Sequence, residues 1–116
     1  MYKKNIKNIH HFNKLSEQLF NDIEEKIDNY HGNSDIDYEN NYNIITLTFE
    51  NKSKIIINKQ EPLFQIWLAT MNSGYHFEYV NDTWICNRTQ KNFWDILEQS
   101  CSNQSNEIVK LTNYKK

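Results

Sequence analysis

The chain contains few of the residues that form cross-links, turns and helix ends, with two cysteines, two glycines and one proline in 116 residues. Cys86 and Cys101 lie far apart and form neither a CxxC pair nor a zinc-ligand spacing, which argues against a disulfide framework and a zinc site. We therefore expect two reduced thiols in a cytoplasmic protein. No apolar run reaches the roughly 18 residues of a membrane span, and residues 1–8 contain no apolar stretch of a secretory signal.

Signatures of common enzymes are also absent from the sequence. It contains no glycine-rich phosphate loop, no grouping of serine, histidine and acid that would activate a nucleophile, and no metal-ligand spacing among its four histidines. We expect a protein that is not an enzyme. A nucleic-acid partner is disfavoured as well, because the dominant charge cluster is negative and repels phosphate.

Acidic residues crowd one part of the chain. Residues 17–50 hold nine carboxylates and a single base, Lys26, whereas the rest of the chain holds six acids and twelve bases. The net charge of -2 at pH 7 therefore conceals a strong dipole. Such crowding costs self-repulsion and is most simply explained by a positive ligand, either a hard metal ion or a basic patch on another protein. A solvated helix face without a ligand is the alternative that this pattern leaves open.

Residues 9–30 carry apolar side chains at spacings of three and four, which predicts an amphipathic helix. At about 100° per residue, one group of acids lies nearly opposite the apolar stripe or flanks that direction. This group consists of Glu17, Glu24, Glu25 and Asp28. Asp22 lies nearer the edge of the stripe, and Gly32 is expected to end the helix.

The hydrophobic period then changes from the helical value to two. Residues 35–39 alternate strictly, with Ile36 and Tyr38 on one side and three acids on the other, as in a strand. Short links indicate an antiparallel meander, including a two-residue hairpin turn at Asn51-Lys52 and a turn at residues 59–62. The further strands are predicted at residues 44–50, 53–58, 63–69, 74–79 and 83–87.

A second helix is predicted after Asn92, which can cap it. The polar tail beyond residue 104 contains three apolar residues that we expect to pack back onto the fold, namely Ile108, Val109 and Leu111.

This order of elements predicts an α+β fold, a two-layer sandwich in which two terminal helices cover one face of an antiparallel sheet of about six strands. We expect residues 1–8 to be a flexible extension and residues 9–116 to form one domain. The other face of the sheet stays open to solvent. Alternation places Trp67 beside Gln65 on that face, where an exposed aromatic side chain is a good anchor for a partner. Burial of Trp67 in the core is the alternative.

The acids of the first helix continue into the first strand as Asp35, Asp37 and Glu39, so that two consecutive elements form an acidic ridge. Oxygen-only ligands favour hard cations, and an open ridge provides no enclosing cage, so we expect weak binding at several sites. His31 is a candidate nitrogen ligand, although a single histidine in a loop is more often without a metal role.

Several segments together resemble one known family. The resemblance covers residues 12 to about 109 and is to the bacterial frataxins (the CyaY family). The segments that carry it are Ser34-Asp35-Ile36-Asp37, Thr48-Phe49-Glu50-Asn51, Asn58-Lys59-Gln60-Glu61-Pro62, Ile66-Trp67-Leu68-Ala69, Gly74-Tyr75-His76-Phe77, Trp84-Ile85-Cys86 and Phe93-Trp94-Asp95.

This resemblance implies the same helix, sheet and helix sandwich, and a protein that binds ferrous and ferric iron weakly on its ridge. It further implies a role in iron–sulfur cluster assembly, as a regulator or iron donor that binds the cysteine desulfurase and the scaffold protein. The implied metal ligands are Glu24, Glu25, Asp28, Asp35, Asp37 and Glu39, with Glu17, Asp22 and His31 as secondary ridge positions. The implied partner-binding residues are Asn58, Gln60 and Trp67.

The ridge departs from the family pattern at Asn29, His31 and Asn33, where acids are usual. We therefore expect fewer bound ions and weaker steering toward a basic partner. One alternative is that the protein is a ferroxidase that stores iron and oligomerises with it. Weak ferroxidase activity is also compatible with the main expectation. Another is an acidic interaction protein without a functional metal. We expect a monomer in the absence of iron, with iron-dependent oligomers as an open alternative.

Overall fold

The computed structural model describes residues 6–112, which form two helices and one sheet of six strands. The strands follow one another across the sheet in chain order, and every neighbouring pair is antiparallel. A short 3₁₀ helix, Glu61–Leu63, links the third strand to the fourth. In chain order the elements are α1 (Ile9–Asp28), β1 (Ile36–Asn41), β2 (Ile44–Phe49), β3 (Lys54–Gln60), β4 (Gln65–Ala69), β5 (Gly74–Val80), β6 (Thr83–Cys86) and α2 (Phe93–Ser105).

Both helices pack on the same face of the sheet, which confirms the predicted two-layer α+β sandwich. Phe12 and Ile23 of α1 are completely buried in the cluster that also contains Leu97 of α2. Alternate residues of the strands, such as Leu47 and Ile57, complete this cluster. Each fully buried side chain of this size contributes about 1.5–3 kcal/mol, so the core fixes which face of every element meets solvent.

The first helix begins at a cap that the periodicity does not reveal and ends earlier than predicted. The Asn8 side chain accepts a hydrogen bond from the His11 backbone N–H at 2.9 Å. The helix ends at Asp28, with Asn29 in a right-handed conformation as its C-cap. Gly32 does not end the helix and has no positive φ, so that prediction was wrong. A Cβ at Gly32 would instead collide with the Tyr30 hydroxyl, which is the physical reason for glycine there.

The links between strands differ from the predictions in detail. β3 continues through Gln60, and Pro62 lies in the 3₁₀ helix, so the predicted turn at residues 59–62 is displaced and β4 begins at Gln65. Phe64 adopts a left-handed conformation (φ 55°) after this helix and stacks on Phe12, with 5.7 Å between ring centroids. The link between β2 and β3 spans residues 50–53, longer than the two-residue turn we predicted, and includes left-handed Lys52 (φ 74°).

The end of the described chain folds back on α2. Val109 and Leu111 are buried as predicted, whereas Ile108 is 79% exposed, so its predicted burial was wrong. Glu98 holds the tail, because one of its carboxylate oxygens accepts from the backbone N–H of Leu111 (2.6 Å) and of Thr112 (3.0 Å). The described residues contain no helix that is both long and apolar enough to cross a membrane.

At the other end of the chain, residues 1–5 of the predicted flexible extension lie outside the described residues. Ile6, within the same predicted extension, packs against the core.

The connector between α1 and β1 is held by a second carboxylate. The Tyr30 hydroxyl and the Ser34 backbone N–H both donate to Glu107, the latter at 3.2 Å. These two hydrogen bonds lower the pKa of Glu107 below its usual value. Burial, together with the Glu107 carboxylate, raises the pKa of Tyr30 to about 12. The tail therefore fixes the segment that joins the two acidic elements.

Replacing Glu98 tests the contribution of the tail to stability. Glu98→Ala leaves the N–H groups of Leu111 and Thr112 without their acceptor, and we expect the free energy of unfolding to fall by about 1–3 kcal/mol. Glu98→Gln retains an acceptor oxygen and should lose less. Urea unfolding at pH 7 measures both. Unchanged stability of Glu98→Ala would show that this carboxylate does not hold the tail.

The connector predicts a stability loss at alkaline pH. Because the folded pKa of Tyr30 (about 12) exceeds the unfolded value of about 10, the contribution of this tyrosine is fully present below pH 10 and is lost as the pH rises through 12. Tyr30→Phe should be less stable at pH 8 but should lose less stability between pH 10 and 12. Tyr42→Phe, at an 86% exposed tyrosine, is the control. Parallel losses in urea unfolding for wild type and Tyr30→Phe would contradict this assignment.

Candidate functional site

Two carboxylates of α1 lie against the edge strand β1. The Tyr38 hydroxyl donates to an Asp28 carboxylate oxygen at 3.2 Å, and the Asn40 amide donates to Glu24. Burial, followed by the hydrogen bond to Asp28, raises the pKa of Tyr38. Because Glu24 and Asp28 are one helical turn apart, they meet alternate residues of β1. The sequence pattern identified the two acids but missed their partners Tyr38 and Asn40, which only the strand register shows.

The acids of β1 project from the opposite side of the sheet. Ile36 and Tyr38 are half-buried on the helix side, whereas Asp37 and Glu39 are exposed. Their antiparallel neighbours across the sheet are Thr48 and Thr46 on the open face. The ridge therefore wraps around the edge of the sheet, with helix carboxylates on one side of β1 and strand carboxylates on the other.

The remaining acids of the predicted ridge differ in position. Glu17 and Glu25 are exposed on α1, and Glu17 lies on the same flank as Glu24 and Asp28. Asp35 is exposed just before β1, where its backbone N–H donates to Glu50 at 3.3 Å.

The two secondary candidates Asp22 and His31 lie apart from the β1 edge. Asp22 lies on the other flank of α1, where it lines a cleft together with Trp84 and Trp94. His31 lines a depression with Lys26, Lys110 and Glu107, where two cations outnumber one carboxylate and do not favour a metal ion.

The donor chemistry of the ridge fits weak binding of a hard cation. The ligand atoms that α1 and β1 present are carboxylate oxygens, which suit hard cations. Within residues 6–112, no three histidine, cysteine or acidic side chains are arranged closely enough to hold a metal ion. An ion at the ridge would thus take one or two protein ligands and complete its coordination with water, an arrangement that gives low affinity.

The open face of the sheet carries an ordered aromatic pair. The Trp67 ring stacks on His76, with centroids 4.2 Å apart and an interplanar angle of 8°. The Trp67 indole N–H donates to the Gln65 side chain at 2.7 Å, which fixes the ring on the face predicted from alternation. Asn58 lies opposite Trp67 in the register, and Gln60 donates to Asn58 at 3.3 Å.

Sequence reasoning missed His76 as a member of this surface. The available signal was the alternation of β5, which places His76 on the same face as its cross-strand neighbour Trp67. Two exposed isoleucines, Ile44 and Ile56 (each 38% exposed), extend the surface toward β1. The predicted partner-binding residues Asn58, Gln60 and Trp67 therefore lie together on one sheet face, where Trp67 is held by its stack on His76 and its hydrogen bond to Gln65.

Comparisons with known proteins agree with the fold and with the resemblance in sequence. A family model described as a frataxin-like domain matches residues 5–107. Frataxin from Psychromonas ingrahamii, studied within the CyaY protein family, is 42% identical to this chain with a TM-score of 0.83, and the match covers 92% of this chain and 100% of that one.

Two structures of trimeric frataxin from the yeast Saccharomyces cerevisiae are more distant. One, in complex with ferrous iron, has 22% identity and a TM-score of 0.63, and the match covers 92% of this chain and 94% of that one. The other, with its full-length N-terminus, has 23% identity and a TM-score of 0.58, with coverage of 90% and 84%. At this identity the yeast proteins show the shared fold alone. The family match and the bacterial relative, taken with the sheet and helices described above, show that this chain belongs to the frataxin family.

Proposed function

We propose that this protein binds iron weakly on its acidic ridge and acts in iron–sulfur cluster assembly, as a cytoplasmic regulator or iron donor that docks onto a cysteine desulfurase and its scaffold protein. The observation that supports this most directly is that carboxylates of α1 and carboxylates of β1 flank the same exposed edge strand, in a chain of the frataxin family. The donor set favours a hard cation, and the open geometry favours ready release.

The proposed iron ligands follow from their positions on the ridge. Glu24 and Asp28 already accept hydrogen bonds from β1, so an ion would compete with Asn40 and Tyr38 for the same oxygens. That competition lowers affinity further. The full proposed set is Glu24, Glu25, Asp28, Asp35, Asp37 and Glu39, with Glu17 beside them.

Two separate surfaces are proposed for the protein partners. The ridge has the charge to meet a basic patch on the desulfurase. The open face, with Asn58, Gln60 and Trp67, has the stacked aromatic anchor and the amides typical of a protein interface. Because Asp37 and Glu39 project on the same side of the sheet as Trp67, one bound complex can contact both surfaces.

An anaerobic titration with ferrous iron, followed by amide NMR, tests the metal site. We expect line broadening confined to residues 24–39, with signals of Trp67 and His76 unaffected. The double variant Glu24→Gln/Asp28→Asn should lose most of the broadening, whereas Glu61→Gln, at an exposed acid outside the ridge, should not. Calcium and magnesium serve as comparison ions. Because both are diamagnetic, their binding is measured by amide shift changes and by competition with the iron-induced broadening. Equal affinities for all three ions would support a plain acidic surface without a functional metal and would contradict the iron site.

Desulfurase binding tests the docking proposal and distinguishes the two surfaces. Reversing the charge of Glu24, Glu25 and Asp28 to lysine should weaken binding roughly 10- to 100-fold at low salt, and the loss should shrink as salt rises. Trp67→Ala should weaken binding of the desulfurase–scaffold complex with little dependence on salt. Calorimetry at two salt concentrations measures both. Undiminished binding by the charge-reversed protein would contradict docking through the ridge.

A further inference from the structure

A cleft of about 260 Å³ lies between α1 and the β5–β6–α2 region, on the flank of α1 that faces away from β1. Its walls include the aromatic rings of Tyr79, Trp84 and Trp94, with Leu15 from α1. Tyr79 packs edge-on against Trp84, with 5.1 Å between ring centroids, so the wall is preformed. Neither the ridge nor the open sheet face uses these residues.

Two carboxylates line this aromatic cleft. Asp22 comes from α1, and Asp82 comes from the turn between β5 and β6, so two separate elements each contribute one negative charge. The pKa of Tyr79 is raised by burial and by the negative charge of Asp82, which shows that this carboxylate acts on the wall of the cleft. The residues that line the cleft include no base.

The rings of the cleft are suited to a cation. Lys26, one turn beyond Asp22, places its ammonium 5.7 Å from the centroid of the Trp94 ring. Lys26 is not among the residues that line the cleft, so this contact shows that the Trp94 ring accepts a cation on a part of its surface outside the cleft. Aromatic faces combined with carboxylates favour a guanidinium in particular, because it is planar, stacks on rings and offers several donors to carboxylate oxygens.

We propose that the cleft binds one arginine side chain presented by a partner polypeptide. The guanidinium would lie against the aromatic rings that line the cleft and donate to Asp22 and Asp82. Free arginine fits less well, since its own carboxylate would be repelled by the two carboxylates that line the cleft. This site lies apart from the ridge and from the Trp67 surface, so the inference does not depend on the proposed iron-related function.

The test uses the full chain and the peptide N-acetyl-Gly-Arg-Gly-amide, which has no free carboxylate, with the citrulline peptide as a neutral ligand of the same shape. The indole N–H signals of Trp84 and Trp94 report on the cleft, and that of Trp67 on the open sheet face. We expect saturable shifts of the first two signals by the arginine peptide, with a dissociation constant on the order of 1 mM, and no shift by the citrulline peptide.

Variants of the two acids complete the test. Asp22→Asn and Asp82→Asn should each weaken arginine-peptide binding about tenfold, because each removes a charged hydrogen-bond acceptor, whereas Glu61→Gln should bind normally. Equal shifts by the two peptides would overturn the proposal even if a variant failed to fold. Binding of free arginine as tight as that of the peptide would also overturn it, since the occupant would then be a small molecule.

Discussion

Burial of one face of α1 against the sheet determines the direction of every acid on that helix. Because Phe12 and Ile23 are completely enclosed, the helix cannot rotate about its axis without exposing them. Glu24 is thereby directed toward β1, Glu25 toward solvent, and Asp22 toward the opposite flank. A single apolar stripe thus divides one acidic helix between a ridge and a cleft, and no acid can serve both.

The sheet makes a similar division between its two faces. Its helix-covered face is aliphatic and fully buried at positions such as Ile57 and Leu68, so that face is closed to any partner. The other face carries the Trp67–His76 stack, which costs little further ordering on binding because the hydrogen bond to Gln65 already fixes the indole. Among the strands of residues 6–112, β1 is the one that contributes to both the acidic ridge and this open face.

Periodicity alone predicted most of the fold, because helices and strands bury their apolar residues at different spacings. It could not predict features that depend on distant contacts. Gly32 has the sequence position of a helix terminator, but its lack of a side chain leaves space for the Tyr30 hydroxyl. Ile108 is exposed although its neighbour Val109 is buried. The left-handed conformation of Phe64 is stabilised by stacking on a helix far away in the sequence. The acids of the ridge were found from composition and alternation, whereas the hydrogen bonds that hold them required the register of β1.

The position of β1 at the end of the sheet has a consequence for self-association. An edge strand exposes backbone N–H and C=O groups that can pair with another chain. Asp37 and Glu39 oppose such pairing, since a second copy of β1 alongside the first would bring like charges together. A cation bound to these carboxylates, as in the proposed function, would neutralise that repulsion. If iron binds there as proposed, metal occupancy and edge-to-edge assembly would be thermodynamically linked.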